Sequence, residues 1–204
     1  MKMPRLAPAA MAALVPVLAC AFAAPVLAQK PEAPKIGATA PDFTLPPAAG
    51  GAPVALKDLL AKSKAVVVIF DATKCPFALG YKERVASMGK EYAGKGVTFV
   101  TINSNKTEPA ADVAEDARKY SFTFPVLKDE GNKVADLYAA QKTPEIYVLD
   151  PKGTLLYRGR IDETHEDAKN VKSPDLRNAL EAILAGKPVP AAETKAFGCS
   201  IKRV

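Results

Sequence analysis

Cysteine and histidine are scarce in this sequence of 204 residues, which contains three cysteines and one histidine. A copper site is therefore disfavoured, because one thiolate and one imidazole make a poor closed site for that metal. We expect no bound metal and no other cofactor. The histidine, His165, is interpreted as a solvated loop residue beside a surface cluster formed by Asp162, Glu163, Glu166 and Asp167.

Long runs of like charge are also missing. The sequence has 28 Lys and Arg residues against 22 Asp and Glu residues, which gives a net charge of +6. These charges are scattered, and no run of five or six residues of one sign occurs. The basic stripe of a typical nucleic-acid-binding protein is absent, so we expect no nucleic-acid partner.

An apolar stretch follows two basic residues at the N-terminus. Lys2 and Arg5 precede residues 6–28, which are mostly Ala, Leu, Val, Met and Phe. A basic end, an apolar stretch and small residues at the cut are typical of a secretory signal peptide. We predict a signal peptide over residues 1–28, cleavage after Ala28 and a periplasmic or secreted mature protein.

Two alternatives remain for this segment. A membrane-anchoring helix would contain Pro16 and Pro25, which disrupt a helix interior, so we expect no membrane span after cleavage. A lipoprotein signal is the other alternative, because Val17-Leu18-Ala19-Cys20 loosely resembles one. In that case Cys20 would be acylated and would become the first residue.

The remaining chain is long enough for one domain with a substantial core. We predict a disordered leader over residues 29–35, a folded domain over 36–186 and a C-terminal tail over 187–204. The mature chain keeps Cys75 and Cys199. Since a domain of this size needs no disulfide to fold, the pair indicates function more than a structural cross-link.

Hydrophobic patterning predicts alternating strands and helices, in this order: strand 43–45, helix 56–62, strand 65–70, helix 76–93, strand 97–102, helix 109–120, strand 124–127, helix 132–140, strand 145–150, strand 154–158 and helix 174–185. The order places parallel strands with crossover helices first and an antiparallel pair last. The predicted class is therefore α/β, with a central mixed sheet.

Cys75 lies between the apolar strand 65–70 and the helix that Pro76 begins. The unpaired N–H groups and the positive dipole end of that helix favour a thiolate, and Lys74 adds a cation. We predict that Cys75 is a nucleophile with a lowered pKa. The alternative, a small apolar core residue, would more naturally lie inside the strand or on the inner helix face.

These residues resemble a known family. Residues 67–78, together with residues 40–45 and Thr143-Pro144, are similar to the thioredoxin-like redoxins of the alkyl hydroperoxide reductase and thiol-specific antioxidant (AhpC/TSA) family. More narrowly, Cys75-Pro76-Phe77 and the C-terminal residues 198–202 are similar to a bacterial thioredoxin-family branch. The resemblance implies a thioredoxin-like fold with the redoxin-type insertion and an antioxidant or thiol–disulfide oxidoreductase activity.

The resemblance also implies that Thr143-Pro144 is a cis-proline loop packed against the reactive cysteine. In such a loop, the residue before the proline offers backbone groups to a bound peptide or disulfide. We therefore assign substrate binding to Pro76, Phe77, Thr143 and Pro144. An ordinary trans turn before a strand is the alternative.

Two departures from the family pattern matter. A thioredoxin has a second cysteine three residues after the first, where this chain has Ala78. A peroxiredoxin has a threonine three residues before its peroxide-reactive cysteine, where this chain has Ala72. The substrate could thus be a protein disulfide, a small-molecule disulfide or a peroxide.

A lone nucleophile needs a second thiol, because attack on a disulfide or a peroxide leaves a mixed disulfide or a sulfenic acid. Cys199 is the candidate for this resolving role, and an upstream thiol reductant would then restore the pair. Alternatives are a non-catalytic binding or metal-carrier domain in which Cys75 and Cys199 form a structural disulfide.

The tail is long enough to bring Cys199 to Cys75. From Gly186 to Cys199 an extended chain spans at most about 45 Å. Phe197 and Ile201 are predicted to anchor the tail by apolar contact. We therefore predict a Cys75–Cys199 disulfide in the oxidised protein.

Overall fold

The structure is a computed structural model that describes Met3 and residues 32–204. Apart from Met3, the predicted signal peptide, including Cys20, lies outside the described residues. Within the part that is described, no helix is long and apolar enough to cross a membrane.

The predicted sequence of elements is present, with short additional strands. In chain order the elements are β1 (Thr44–Leu45), β2 (Val54–Ala55), α1 (Leu56–Leu60), β3 (Ala65–Asp71), α2 (Pro76–Ala93), β4 (Val97–Asn103), α3 (Ala110–Lys119), β5 (Val126–Lys128), α4 (Lys133–Leu137), β6 (Lys142–Thr143), β7 (Glu145–Leu149), β8 (Leu155–Gly159), α5 (Asp175–Leu184) and β9 (Cys199–Ser200). Single 3₁₀ turns precede α4 and α5.

A five-stranded mixed sheet with the order β5-β4-β3-β7-β8 forms the centre of the fold. β3, β4 and β5 are parallel to one another, whereas β7 is antiparallel to both β3 and β8. The thioredoxin-like α/β fold, with parallel strands first and an antiparallel pair last, is therefore confirmed.

β3 is central because its apolar residues are buried on both faces. Its even-numbered residues from 66 to 70 pack in one cluster with Tyr138 and Tyr147. Its odd-numbered residues from 65 to 69 pack in a second cluster with Tyr81 and Phe99. Continuous hydrophobic strands of this kind are typical of a parallel sheet covered on both sides, and here the packing fixes the end of β3 just before Cys75.

Some predicted boundaries were wrong. The predicted helix over 132–140 is shorter at both ends, because Asn132 and Ala139 have positive φ values of 58° and 49° and flank α4. The predicted strand over 124–127 begins two residues later, at Val126.

The C-terminal tail packs against the domain. The backbone N–H of Thr194 donates to the carbonyl oxygen of Arg158 in β8, and the Arg158 N–H donates to that of Ala192. Farther along, β9 pairs antiparallel with β6. The tail thus returns from the edge of the sheet to the region where β3 ends.

Candidate active site

Cys75 is the N-cap residue of α2 and follows the turn after β3. Only 4% of its surface is exposed, and it packs with Ala72 and Ala78. Its thiol donates a hydrogen bond to the carbonyl oxygen of Thr143, with 3.2 Å between sulfur and oxygen. The sulfur therefore lies where the first turn of α2 meets the loop before β7.

The turn before Cys75 is held by Glu108, a residue that the sequence analysis did not single out. Its buried carboxylate accepts hydrogen bonds from the backbone N–H groups of Thr73 (2.9 Å) and Lys74 (3.1 Å). It also accepts one from Asn103 at 2.6 Å. Burial opposes ionisation, but these hydrogen bonds outweigh it and hold the pKa of Glu108 below its ordinary value. A glutamate before a proline gives no periodic signal, so only the fold reveals this role.

The peptide bond between Thr143 and Pro144 is cis, which confirms the predicted conformation of this loop. Thr143 is 1% exposed and lies directly against Cys75 through the hydrogen bond described above. In β6, Thr143 is the register partner of Cys199 in β9. The structure thus brings together three of the residues predicted to form the site, Cys75, Thr143 and Cys199.

Both predicted tail anchors are in contact with the domain. The ring of Phe197 lies 6.0 Å from that of Phe77 and 6.5 Å from that of Tyr81, measured between centroids. Ile201 is 7% exposed and belongs to the main core cluster. These contacts place the half-buried Cys199 against the small cluster around Cys75.

The two thiols have different acidities. Burial opposes ionisation of Cys75, but the neighbouring Cys199 thiol and the Ala78 backbone N–H outweigh it and lower the pKa of Cys75 below the ordinary value of 9.0. Burial, the hydrogen bond to Cys75 and the charge of Cys75 raise the pKa of Cys199 to about 11. At neutral pH, Cys75 is therefore the better thiolate and Cys199 a proton-bearing neighbour.

The lowered pKa of Cys75 was predicted, but one of its two predicted causes is wrong. The ammonium group of Lys74 lies 3.4 Å from the carboxylate of Asp112 and is well exposed. It is not among the main causes of the lowered pKa of Cys75. The backbone N–H of Ala78, in the first turn of α2, does lower the pKa of Cys75, as predicted. The second cause is the Cys199 thiol and not Lys74.

Thiolate absorbance near 240 nm should reveal this difference during a titration of the reduced protein. We expect one thiolate to form with a midpoint below pH 9.0, and Cys199 to remain protonated well above that pH. Cys199→Ala should raise the midpoint because a donor is lost, whereas Cys199→Ser keeps a hydroxyl donor and should raise it less. A parent protein in which no thiolate forms below pH 9.0 would contradict the prediction.

His165 is not the solvated residue that the sequence analysis expected. It is half-buried, and its ring lies 4.3 Å from the ring of Phe77 between centroids. Asp162 was placed in a surface cluster, but it is 4% exposed and accepts hydrogen bonds from Tyr81 (3.0 Å) and Arg84 (2.6 Å). Both residues support the loop that packs on the start of α2.

The predicted substrate-binding residues differ in their surroundings. Pro76 is exposed at the first position of α2, whereas Phe77 is half-buried between His165 and Phe197. Within residues 32–204, no group of three or more His, Cys, Asp or Glu side chains is arranged to hold a metal ion.

A thioredoxin-like redoxin is defined by the combination found here. The sheet is central and mixed, a cysteine lies at the N-terminus of the helix after the central strand, and a cis-proline loop packs against the sulfur of that cysteine. The AhpC/TSA family profile matches residues 36–158, and the chain belongs to that family.

Relatives of two kinds are similar to the chain in sequence. The thiol-disulfide oxidoreductase ResA of Oceanobacillus iheyensis is 32% identical over 124 residues, which cover 59% of this chain and 62% of ResA. The chloroplastic peroxiredoxin Q of Sedum lineare is 33% identical over 157 residues, covering 67% of this chain and 78% of the relative. The chain thus spans somewhat under two thirds of the length of this ResA.

Solved structures show the same fold. A hypothetical protein from Sinorhizobium meliloti is 34% identical, with a TM-score of 0.78 over 85% of this chain and 97% of the other. An uncharacterized conserved protein from Geobacillus kaustophilus is also 34% identical, with a TM-score of 0.76 over 82% and 92% of the two chains.

Proposed function

We propose that the protein is an exported thiol–disulfide oxidoreductase in which Cys75 is the nucleophile and Cys199 the resolving cysteine. The pairing of Thr143 with Cys199 carries this proposal, because Cys199 packs against the small cluster that contains Cys75. The lowered pKa of Cys75 and the raised pKa of Cys199 suit an attacking and a resolving thiol.

The proposed reaction consists of two exchanges. The Cys75 thiolate attacks one sulfur of a substrate disulfide, forms a mixed disulfide and expels the other sulfur as a thiolate. Cys199 then loses its proton and attacks the Cys75 sulfur, which releases the reduced substrate and leaves a Cys75–Cys199 disulfide. A thiol reductant returns two electrons and two protons to the pair, so no cofactor is needed.

A peroxidase is the second candidate function, and the similarity to peroxiredoxin Q supports it. In that reaction the Cys75 thiolate attacks a peroxide oxygen, expels water or an alcohol and becomes a sulfenic acid. Cys199 then forms the disulfide and releases water. The residue three positions before Cys75 is Ala72, which is 1% exposed and offers no hydroxyl to a peroxide, so we favour disulfide exchange.

Export and the division of the chain are further parts of the proposal. The basic and apolar pattern of residues 1–28 supports a signal peptide. The proposed mature protein has a leader over 29–35, a redoxin domain over 36–186 and a functional tail over 187–204. The Cys75-Pro76-Phe77 segment and the tail cysteine support membership of the bacterial thioredoxin-family branch.

Mass spectrometry after mild oxidation tests the roles of the two cysteines. With one equivalent of oxidised glutathione, the reduced parent should lose two hydrogen atoms and both free thiols. Cys199→Ser should instead gain one glutathione at Cys75, because the resolving thiol is missing. If the parent keeps two free thiols, or if Cys199→Ser accumulates no adduct, the proposed cycle is wrong.

A further inference from the structure

We propose that residues 197–204 form a specificity-determining segment, whose strand β9 occupies the edge where an extended polypeptide would pair beside Cys75. The intact chain should consequently react with small disulfides in preference to disulfides carried by polypeptides. This inference rests on the proposed role of Cys75 as the nucleophile, and it assigns the substrate class of the same site.

The first support is the position of β6. Its residue Thr143 is hydrogen-bonded through its carbonyl oxygen to the Cys75 thiol and is the register partner of Cys199. Pairing with a strand edge uses backbone groups, which every extended polypeptide has. A polypeptide that laid its sulfur beside Cys75 along β6 would need the same backbone groups that β9 already engages.

The second support is the coverage of the thiol. Cys75 is 4% exposed with the tail in place, and Cys199 and Phe77 pack against its cluster. A small disulfide needs only a brief opening next to the sulfur. A polypeptide needs several consecutive residues of the tail to leave, so its reaction carries the additional cost of undocking.

The third support is that the tail is held beyond Cys199 as well. The backbone N–H of Ile201 donates to the carbonyl oxygen of Gln141 at 3.1 Å, and the Ile201 side chain is buried. The N–H of Lys202 donates to the side chain of Asn105 at 2.7 Å, and its carbonyl oxygen accepts from the N–H of Lys106 at 3.0 Å. These contacts hold the residues that follow β9 against the domain. They thereby keep β9 in register with β6.

Gly198 provides a means to displace the strand. Its φ is +143°, and a Cβ added there would overlap the carbonyl oxygen of Thr143 and lie 2.9 Å from the carbonyl carbon. Since both contacts are with backbone, they cannot be relieved by a side-chain rotation. Gly198→Ala should therefore weaken the docking of β9 without removing Cys199.

The test compares two substrates with the same leaving group. One is 5,5′-dithiobis(2-nitrobenzoic acid), and the other is a flexible Gly/Ser/Lys peptide of about twelve residues whose central cysteine carries the same thionitrobenzoate. The reduced mature protein, residues 29–204, attacks either one and releases thionitrobenzoate, which is measured by its absorbance. The measured quantity is the ratio of the initial rate with the peptide to that with the small disulfide.

We expect this ratio to rise by about tenfold in Gly198→Ala, because backbone strain of this kind weakens docking of the tail by a factor of that order. The matched control is Gly50→Ala in the exposed turn between β1 and β2. Gly50 also has a positive φ, of +83°, but a Cβ there meets nothing within 4 Å. The ratio for Gly50→Ala should equal that of the parent.

Trypsin cleavage after Lys202 reports whether the tail has been released, because both backbone groups of Lys202 are hydrogen-bonded when it is docked. If Gly198→Ala stays protected, Ile201→Asp replaces it, since an unpaired carboxylate is strongly disfavoured in the core. A parent-like ratio in the variant whose tail is released overturns this inference and leaves the proposed function standing. If the parent releases no thionitrobenzoate from either substrate, the proposed function itself fails.

Discussion

Replacing Cys75 by serine is expected to lower the rate of disulfide reduction by about 10³-fold or more. A serine hydroxyl stays protonated at neutral pH and is a poor nucleophile toward sulfur. The hydroxyl can still donate to the carbonyl oxygen of Thr143, which lies 3.2 Å from the sulfur in the parent. The fold should therefore survive, and circular dichroism before and after heating would verify that it does.

The matched control for this variant is Cys199→Ser, measured with the same small disulfide. It should retain a first release of thionitrobenzoate at a rate near that of the parent, because Cys75 remains. It should fail to release the second equivalent, which requires the resolving thiol. Parent-like activity in Cys75→Ser would rule out Cys75 as the nucleophile, and a lost first release in Cys199→Ser would show that the two cysteines do not act in this order.

The largest change in stability is expected at Lys82, which lies in α2 and is only 2% exposed. Its ammonium group contacts the carboxylates of Asp71 at 2.5 Å and Asp116 at 2.6 Å. Lys82→Met removes the cation and leaves two poorly solvated carboxylates near each other. We expect the free energy of unfolding at pH 7 to fall by about 3 to 5 kcal/mol, the usual cost of breaking a buried ion pair.

This loss should shrink in acid. Burial raises the pKa of Asp71, and Lys82 opposes that rise, so removal of the lysine raises the pKa further. Asp71 then protonates more readily and ceases to repel Asp116. Urea unfolding at pH 7 and pH 4.5 would measure the difference between the parent and Lys82→Met.

Lys95→Met is the matched control for the buried lysine. Lys95 also contacts two carboxylates, those of Glu91 at 3.2 Å and Glu181 at 2.9 Å, but its side chain is 40% exposed. Exposed ion pairs contribute less than about 1 kcal/mol. Equal losses in the two variants would contradict a role for burial at Lys82.

The sequence is sufficient to predict the parts of the fold that depend on periodic burial. The run 65–70 predicts a central strand because every side chain in it is apolar, and Pro76 predicts the helix start because a proline there loses no hydrogen bond. Those two features place Cys75 at a helix N-terminus. The position of Cys75 in the candidate site thus follows from local sequence alone.

The rest of the site depends on side-chain directions and long-range pairing, which have no periodic signal. β6 and β9 have two residues each, too few for an alternating pattern. Lys74 is adjacent to Cys75 in sequence, yet its side chain pairs with Asp112 in α3. Glu108 reaches the turn before Cys75 only because the chain after β4 returns to the end of β3.

The position of β9, five residues from the C-terminus, has a consequence for the order of synthesis. All strands of the central sheet and the helix that begins at Pro76 are translated before Cys199 is added. The Cys75 thiol therefore has no cover from β9 until residues 199–200 have been added. A chain that terminates before residue 199 would lack β9, so the Cys75 thiol, which is 4% exposed in the whole structure, would lose that cover.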